Sequence, residues 1–342
     1  MTFNRDSAFS LSLADPDFPE TEQIINSAIT VNNELYIFSR TAIFRMLSAD
    51  TLDPERNHPD TMHSYEKIYS VGSEKLIVAR TILQFSEIFR FLGSSDIDEK
   101  HLLSRLWICC QKLFICESDS YFIYEQTMKL MPECDRLIEK HKNTHSMPPL
   151  PKIPDIESRM ASFFLNSKLM LEETFGFLHL FFKMPFDNKY RAHFDKHVSW
   201  LVKRFGKDHP LAKMISRDLD WIRILSECSN AMRHPESGQQ IDIANICFRA
   251  GNRFSAPSWQ YDLTKKGLGS ISTKVDLVSD LDTFCHNMMM VLEELLLWSI
   301  DEVFKKSEMC ALHQYAENEI NPNCPVKYYV GVSDAFRKKF HI

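Results

Sequence analysis

Long stretches of apolar residues at helical spacing constrain this chain more than any other feature of its sequence. Between Asp155 and Met184 an aromatic-rich face recurs at the three- and four-residue intervals of an amphipathic helix. Similar spacing recurs over 74–91, 210–232 and 275–305. The 342 residues include nine Gly, too few for an α/β fold with many tight turns. The sequence therefore predicts a mainly α protein built around a helical bundle.

One segment near the N-terminus has a strand pattern instead. Asn32-Asn33 separates two runs of β-favouring residues, and an Asn pair tolerates the left-handed backbone of a tight hairpin turn. This pattern predicts strands over 28–31 and 34–38, with a third strand near 42–46. The acidic, Pro-containing stretch that follows predicts a loop.

A second hairpin is indicated at Ala250-Gly251-Asn252, between ICFR and RFSAPSWQY. The predicted fold class is mainly α, a helical bundle with two small antiparallel β-hairpins. The Pro-rich run SMPPLPKIP cannot continue a helix and is the best candidate for an internal boundary, either between two domains or within one. The predicted division is an N-terminal arm at 1–23, a hairpin with helices at 24–147, a linker at 148–154, the bundle with its hairpin at 155–306 and an irregular tail at 307–342.

Composition limits the location and the cofactors of the protein. Nine scattered Cys residues without a CxxC pair fit a reducing cytoplasm better than a disulfide framework. The chain shows neither a signal peptide nor an apolar run of about 18 residues, so we expect a cytoplasmic protein with no membrane partner. The motifs GxxxxGK[ST], GxGxxG and GxSxG do not occur, and we expect no cofactor. A net charge of −6 means that RNA contact needs a local basic patch.

The stretch CSNAMRHPESGQ, from Cys228 to Gln239, places Asn230, Arg233 and His234 where a helix meets Pro and Gly. One interpretation is structural: cations at the negative end of a helix contribute roughly 0.3–1 kcal/mol, and the residue before Pro stops the helix. The other interpretation is catalytic. An imidazole transfers protons near neutral pH, and a guanidinium stabilises charge on phosphate oxygens, a combination that suits metal-independent RNA cleavage.

SNAMRH resembles the Arg-Asn-x-x-x-His signature of the HEPN family, helical domains found in many microbial ribonuclease toxins and defence proteins. The order of helices, motif, hairpin and final long helix is similar to the branch with a short hairpin after the motif. The resemblance covers roughly Pro154 to Lys306. It implies a motif at the end of a long helix, RNA as a partner, and a homodimer in which two copies of the motif meet.

Only Asn230 and His234 match the family's pattern, because Ser229 stands where the family has Arg. Either Arg233 or Arg223 is an alternative source of the cation. We assign Asn230, Arg233 and His234 as candidate catalytic residues, and Arg223 and Ser229 as candidate substrate-binding residues. The expected function is metal-independent RNA cleavage or RNA binding. The alternative is a non-catalytic HEPN-like scaffold or protein-interaction module that keeps the fold without cutting.

Two other segments carry residue types that bind metals. The loop ADTLDPERNHPDT has several carboxylates and His58, which suit a divalent ion, yet Asp-Pro and His-Pro sequences commonly form turns. His193 and His197 have the four-residue spacing of zinc ligands on a helix, without an evident third ligand. We interpret the loop as a turn that fixes the N-terminal hairpin, and the two histidines as solvated surface. No metal site is predicted.

Overall fold

The structure is a computed structural model that describes residues 25–92, 97–144, 146, 149–187, 193–307 and 309–340. The predicted N-terminal arm at 1–23 lies outside the described residues. The chain divides into two compact units. Unit 1 comprises Met1–Cys110 and Ser299–Ile342, and unit 2 comprises Gln111–Trp298. The described part of the Pro-rich linker belongs to unit 2.

The α-helices and β-strands of the described residues are numbered in chain order. The α-helices are α1 Ala49–Leu52, α2 Leu76–Val78, α3 Gln84–Phe89, α4 Glu99–His141, α5 Ile156–Phe182, α6 Phe194–Phe205, α7 Pro210–Arg233, α8 Leu277–Ser307 and α9 Asp334–Phe340. The strands are β1 Ile25–Val31, β2 Glu34–Ser39, β3 Ile43–Leu47, β4 Ser64–Tyr69, β5 Gln240–Ala244, β6 Cys247–Arg249, β7 Arg253–Ser255, β8 Ser258–Asp262, β9 Ser270–Asp276, β10 Cys310–Gln314 and β11 Tyr328–Val332.

The predicted fold class is wrong in its β content. Of the structure, 57% is helical and 20% is strand, arranged in four antiparallel sheets. The sheets are a four-stranded one in the order β1-β2-β3-β4, a three-stranded one in the order β5-β8-β9, and two pairs, β6-β7 and β10-β11. The long helices are present, but the molecule is not a helical bundle with two small hairpins. The missed strands are short and half exposed. Gln240–Ala244 alternates polar and apolar residues over only five positions, which is a weak pattern on its own.

Unit 1 contains the first predicted hairpin. Asn32 and Asn33 have φ angles of 51° and 66°, so both residues adopt the left-handed backbone that the tight turn requires. Helical residues follow from Leu76 to Leu92 in one run, with a π-helical turn at Ala79–Leu83 between α2 and α3. The predicted continuous α-helix over 74–91 is therefore interrupted.

The segment after Glu308, predicted to be an irregular tail, instead carries β10, β11 and α9. Its attachment within unit 1 uses a buried amide: Gln84 Oε1 accepts hydrogen bonds from the backbone N–H groups of Lys327 and Tyr328, each at 2.9 Å. The Gln84 side chain thus accepts hydrogen bonds from two consecutive backbone N–H groups at the start of β11. Such a contact joins residues far apart in sequence and gives no local signal.

Unit 2 is built on the aromatic face of α5, which packs against α7, while α7 also packs against α6. Buried rings include Phe163, Phe164, Phe175 and Phe177. The ring centroids of Trp259, in β8, and Phe164 are 5.6 Å apart. Within the described residues, no helix is both long and apolar enough to cross a lipid bilayer.

His197 corrects the expectation that both histidines of HFDKH lie on solvated surface. Its side chain is 0% exposed and stacks on Phe175, with ring centroids 4.9 Å apart. Burial lowers the pKa of His197 from 6.5 to about 4, because the charged imidazolium loses its hydration. His193 is exposed at the start of α6, so the two rings do not form a metal pair.

The lowered pKa of His197 predicts acid-sensitive stability. In the unfolded chain His197 binds a proton below about pH 6.5, whereas in the folded chain it does so only below about pH 4. The free energy of unfolding therefore decreases as the pH is lowered through this range. From pH 7 to pH 5 we expect a loss of roughly 2 kcal/mol in unfolding free energy from this group. His197→Leu should flatten the dependence in urea titrations, whereas exposed His286→Leu should not. Equal slopes in wild type and His197→Leu would contradict the assignment.

Candidate functional site

The end of α7 holds the predicted motif, and its backbone geometry follows from Pro235. His234 caps the helix with φ −138° and ψ 67°, outside the α region, as expected for a residue before Pro. Its backbone N–H still donates to the Asn230 carbonyl at 2.8 Å. The prediction that His234 marks the helix stop is confirmed. The side chains of Arg233 and His234 are exposed.

The side-chain amide of Asn230 is the centre of a polar cluster. Its Oδ1 accepts a hydrogen bond from Lys168 Nζ of α5 at 2.9 Å and a longer one from Arg233 Nη2 at 3.4 Å. Its Nδ2 donates to Glu227 Oε2 at 3.0 Å. The oxygen therefore faces two cations and the nitrogen faces a carboxylate, so the neighbouring charges fix the orientation of the amide.

Lys168 is half buried, and its pKa is lowered chiefly because burial penalises the ammonium form. Glu172 and Glu227 oppose this shift, while the positive charges of Arg233 and Lys266 add to it. Lys266, in a short 3-10 turn after β8, lies 3.7 Å from the Glu227 carboxylate. We call Lys168, Glu172, Glu227, Asn230, Arg233 and Lys266 the α7 cluster.

The structure brings Asn230 and Arg233 together and places His234 directly after them, whereas the two other predicted residues contact the cluster only through backbone carbonyl groups. Arg223 donates to the Lys266 carbonyl at 3.5 Å and lies 3.8 Å from the Asp195 carboxylate. Ser229 is 2% exposed, and within the described residues its hydroxyl has no hydrogen-bond partner. Neither side chain is presented beside the exposed His234.

Sequence reasoning missed Lys168, Glu227 and Lys266. Lys168 is 62 residues before Asn230, so no local spacing connects the two. One signal was available: Lys168 is a cation in the middle of the aromatic-rich helix α5. Glu227 lies one turn before Asn230 on the same helix, a spacing that places the two side chains beside each other.

The acidic loop at 50–60 is a capped turn, which is the interpretation favoured from the sequence. Asp53 is buried, and its carboxylate accepts the backbone N–H groups of Asn57 at 3.0 Å and His58 at 2.8 Å. Arg56 pairs with Asp50 at 3.1 Å. Among the described residues, no group of three or more His, Cys, Asp or Glu side chains is arranged to hold a metal ion.

No family model, curated protein or solved structure matches this chain. The HEPN resemblance therefore stays a prediction that depends on the residues of the motif.

The hydrogen bonds of Asn230 predict a stability effect that is independent of any activity. Asn230→Ala removes the acceptor shared by Lys168 and Arg233 and leaves a half-buried ammonium without it, at a cost of about 1–2 kcal/mol in unfolding free energy. Urea unfolding at pH 7 measures this loss. Asn287→Ala is a matched control, since Asn287 is also half buried on a helix and lies outside the α7 cluster. Equal costs for both substitutions would contradict the role of Asn230.

Proposed function

We propose that this chain acts on RNA at the C-terminal end of α7, as a metal-independent endoribonuclease. The observation that carries the proposal is the exposure of His234 beside exposed Arg233 at a helix end. The backbone of His234 is tied to Asn230, and the Arg233 guanidinium contacts the same residue. A proton-transfer group and a cation thus occupy consecutive positions at the helix end and both face solvent, where a phosphodiester can approach.

In the proposed reaction, the ribose 2′-oxygen bonds to phosphorus while the bond from phosphorus to the 5′-oxygen breaks. The 2′-hydroxyl loses its proton and the departing 5′-oxygen gains one, so the products are a 2′,3′-cyclic phosphate and a 5′-hydroxyl. His234 carries one of these protons and solvent carries the other. The reaction needs no oxidant, reductant or cofactor, and it leaves the protein unchanged.

Arg233 supplies the charge that this reaction requires. The nonbridging phosphate oxygens gain negative charge as the 2′-oxygen attacks, and a guanidinium stabilises that charge with directed N–H groups. Arg233 Nε donates to the Ser229 carbonyl at 3.3 Å and Nη2 reaches Asn230, while Nη1 makes no hydrogen bond to described residues. The side chain is therefore positioned by α7 and still has donors to offer.

A second candidate function is a non-catalytic scaffold or interaction module. One observation favours it: Arg233 already contacts two oxygens of its own helix, which suits a cation that stabilises the negative helix end. Ser229, at the position where the resemblance implies Arg, is buried. In this function the end of α7 would contact a partner protein, and RNA would be neither bound nor cut.

Incubation of the full chain with a mixed RNA pool in EDTA tests the proposal. We expect cleavage to 2′,3′-cyclic phosphate ends, and a loss of about 100-fold or more in His234→Ala because a proton-transfer group is removed. His286→Ala, at an exposed position of α8, should cleave like wild type. Light scattering on the active fraction tests the homodimer that the resemblance implies.

Each outcome separates the two candidate functions. Cleavage by wild type and His286→Ala alone supports the ribonuclease. Equal cleavage by His234→Ala places the activity elsewhere or in a contaminant. If none of the folded proteins cuts RNA, the scaffold becomes the better description of the α7 end.

A further inference from the structure

The α7 cluster has more positive than negative charge at close range. Lys168 and Arg233 both donate to Asn230 Oδ1, which is a neutral oxygen and cancels no charge. Lys266 adds a third cation, which lies near Glu227. Glu172 and Glu227 are the two carboxylates that offset the charge of Lys168. The three cations and two carboxylates of the cluster sum to one positive charge, and the neighbouring Glu236, which also interacts with Lys266, is already paired with Lys265.

The three cations of the cluster also differ in their burial. Lys168 is half buried between α5 and α7, whereas Arg233 and Lys266 are exposed. An ammonium in a less hydrated position interacts more strongly with an anion than an exposed one does, because water screens it less. An anion that contacts Arg233 from solvent would therefore also interact with the deeper charge on Lys168.

We propose that Lys168, Asn230, Arg233 and Lys266 form a binding site for a phosphate group, with Lys168 as its deep cation. This inference rests on the proposed function and deepens it, because it assigns the phosphate of the RNA backbone to this site. Asn230 holds Lys168 and Arg233 close together on one oxygen. Lys168 acts as a positioning residue: it attracts the phosphate toward Arg233 and His234.

The position of Lys168 costs its ammonium group hydration. Burial is the largest cause that lowers its pKa, and Arg233 and Lys266 add to this effect, while Glu172 and Glu227 oppose it. A bound phosphate dianion or phosphodiester would bring further negative charge to Lys168, Arg233 and Lys266 and would accept hydrogen bonds from them.

Inorganic phosphate is the first probe, because it tests the site without any RNA chemistry. Wild type should melt about 2–4 °C higher in phosphate at roughly ten times its dissociation constant than in chloride of equal ionic strength. Lys168→Gln should lose this difference, since glutamine keeps a donor for Asn230 but carries no charge. Lys168→Arg, which restores the charge, and Lys203→Gln, on the exposed surface of α6, should keep it.

A fluorescent 2′-O-methyl oligoribonucleotide is the second probe, because it lacks the nucleophile and cannot be cut. We expect Lys168→Gln to bind about 10-fold more weakly than wild type, and the slope of log affinity against log salt to fall by about one. Lys203→Gln should match wild type. The comparison with inorganic phosphate distinguishes a site for free phosphate from one for a phosphodiester chain.

The two probes separate failure of this inference from failure of the proposed function. If phosphate stabilises wild type but not Lys168→Gln, and the oligonucleotide does not bind, the phosphate site is correct and RNA is not its ligand. If wild type cuts RNA, and Lys168→Gln shows the same phosphate stabilisation and the same oligonucleotide affinity as wild type, the RNA function is correct and the phosphate site is wrong. No specific phosphate effect on wild type would also overturn the inference.

Discussion

Burial of the aromatic face of α5 is the interaction on which the arrangement of unit 2 depends. Phe163, Phe164, Phe175 and Phe177 are all buried, and each contributes roughly 2–3 kcal/mol by removal of apolar surface from water. Because α5 packs on α7, this burial also sets the distance between Lys168 and Asn230. Core packing thus brings the two helices of the candidate site together, and the hydrogen bonds of Asn230 then fix the positions of Lys168 and Arg233.

The spacing of apolar residues and the turn residues correctly predicted elements that depend on local sequence. The helix predicted over 155–184 is α5, Ile156–Phe182, and the Asn32-Asn33 turn lies between two strands as expected. The sheet β5-β8-β9 was missed because β8 was expected to extend a local hairpin. It pairs instead with β5 and β9, while β6 and β7 form the hairpin. Strand pairing depends on tertiary contacts, and local sequence does not determine it.

The candidate site shows the same limit on a smaller scale. Asn230, Arg233 and His234 were recognised together because they lie within five residues of one helix end, where spacing fixes proximity. Lys168 comes from a different helix, so only the packing of α5 on α7 brings it to Asn230. Ser229 was assigned as a candidate substrate-binding residue, but it is on the buried side of α7.

The placement of Lys168 also bears on the choice between a structural and a functional α7 end. A cation that only stabilises a helix terminus gains most of its benefit at the exposed surface, and Arg233 already fills that role. Half-burial of Lys168 beside Arg233 costs free energy chiefly through lost hydration, which Glu172 and Glu227 offset in part. Helix capping does not require a half-buried cation. The proposed phosphate site would use one, because a less hydrated ammonium attracts an anion more strongly than an exposed one does.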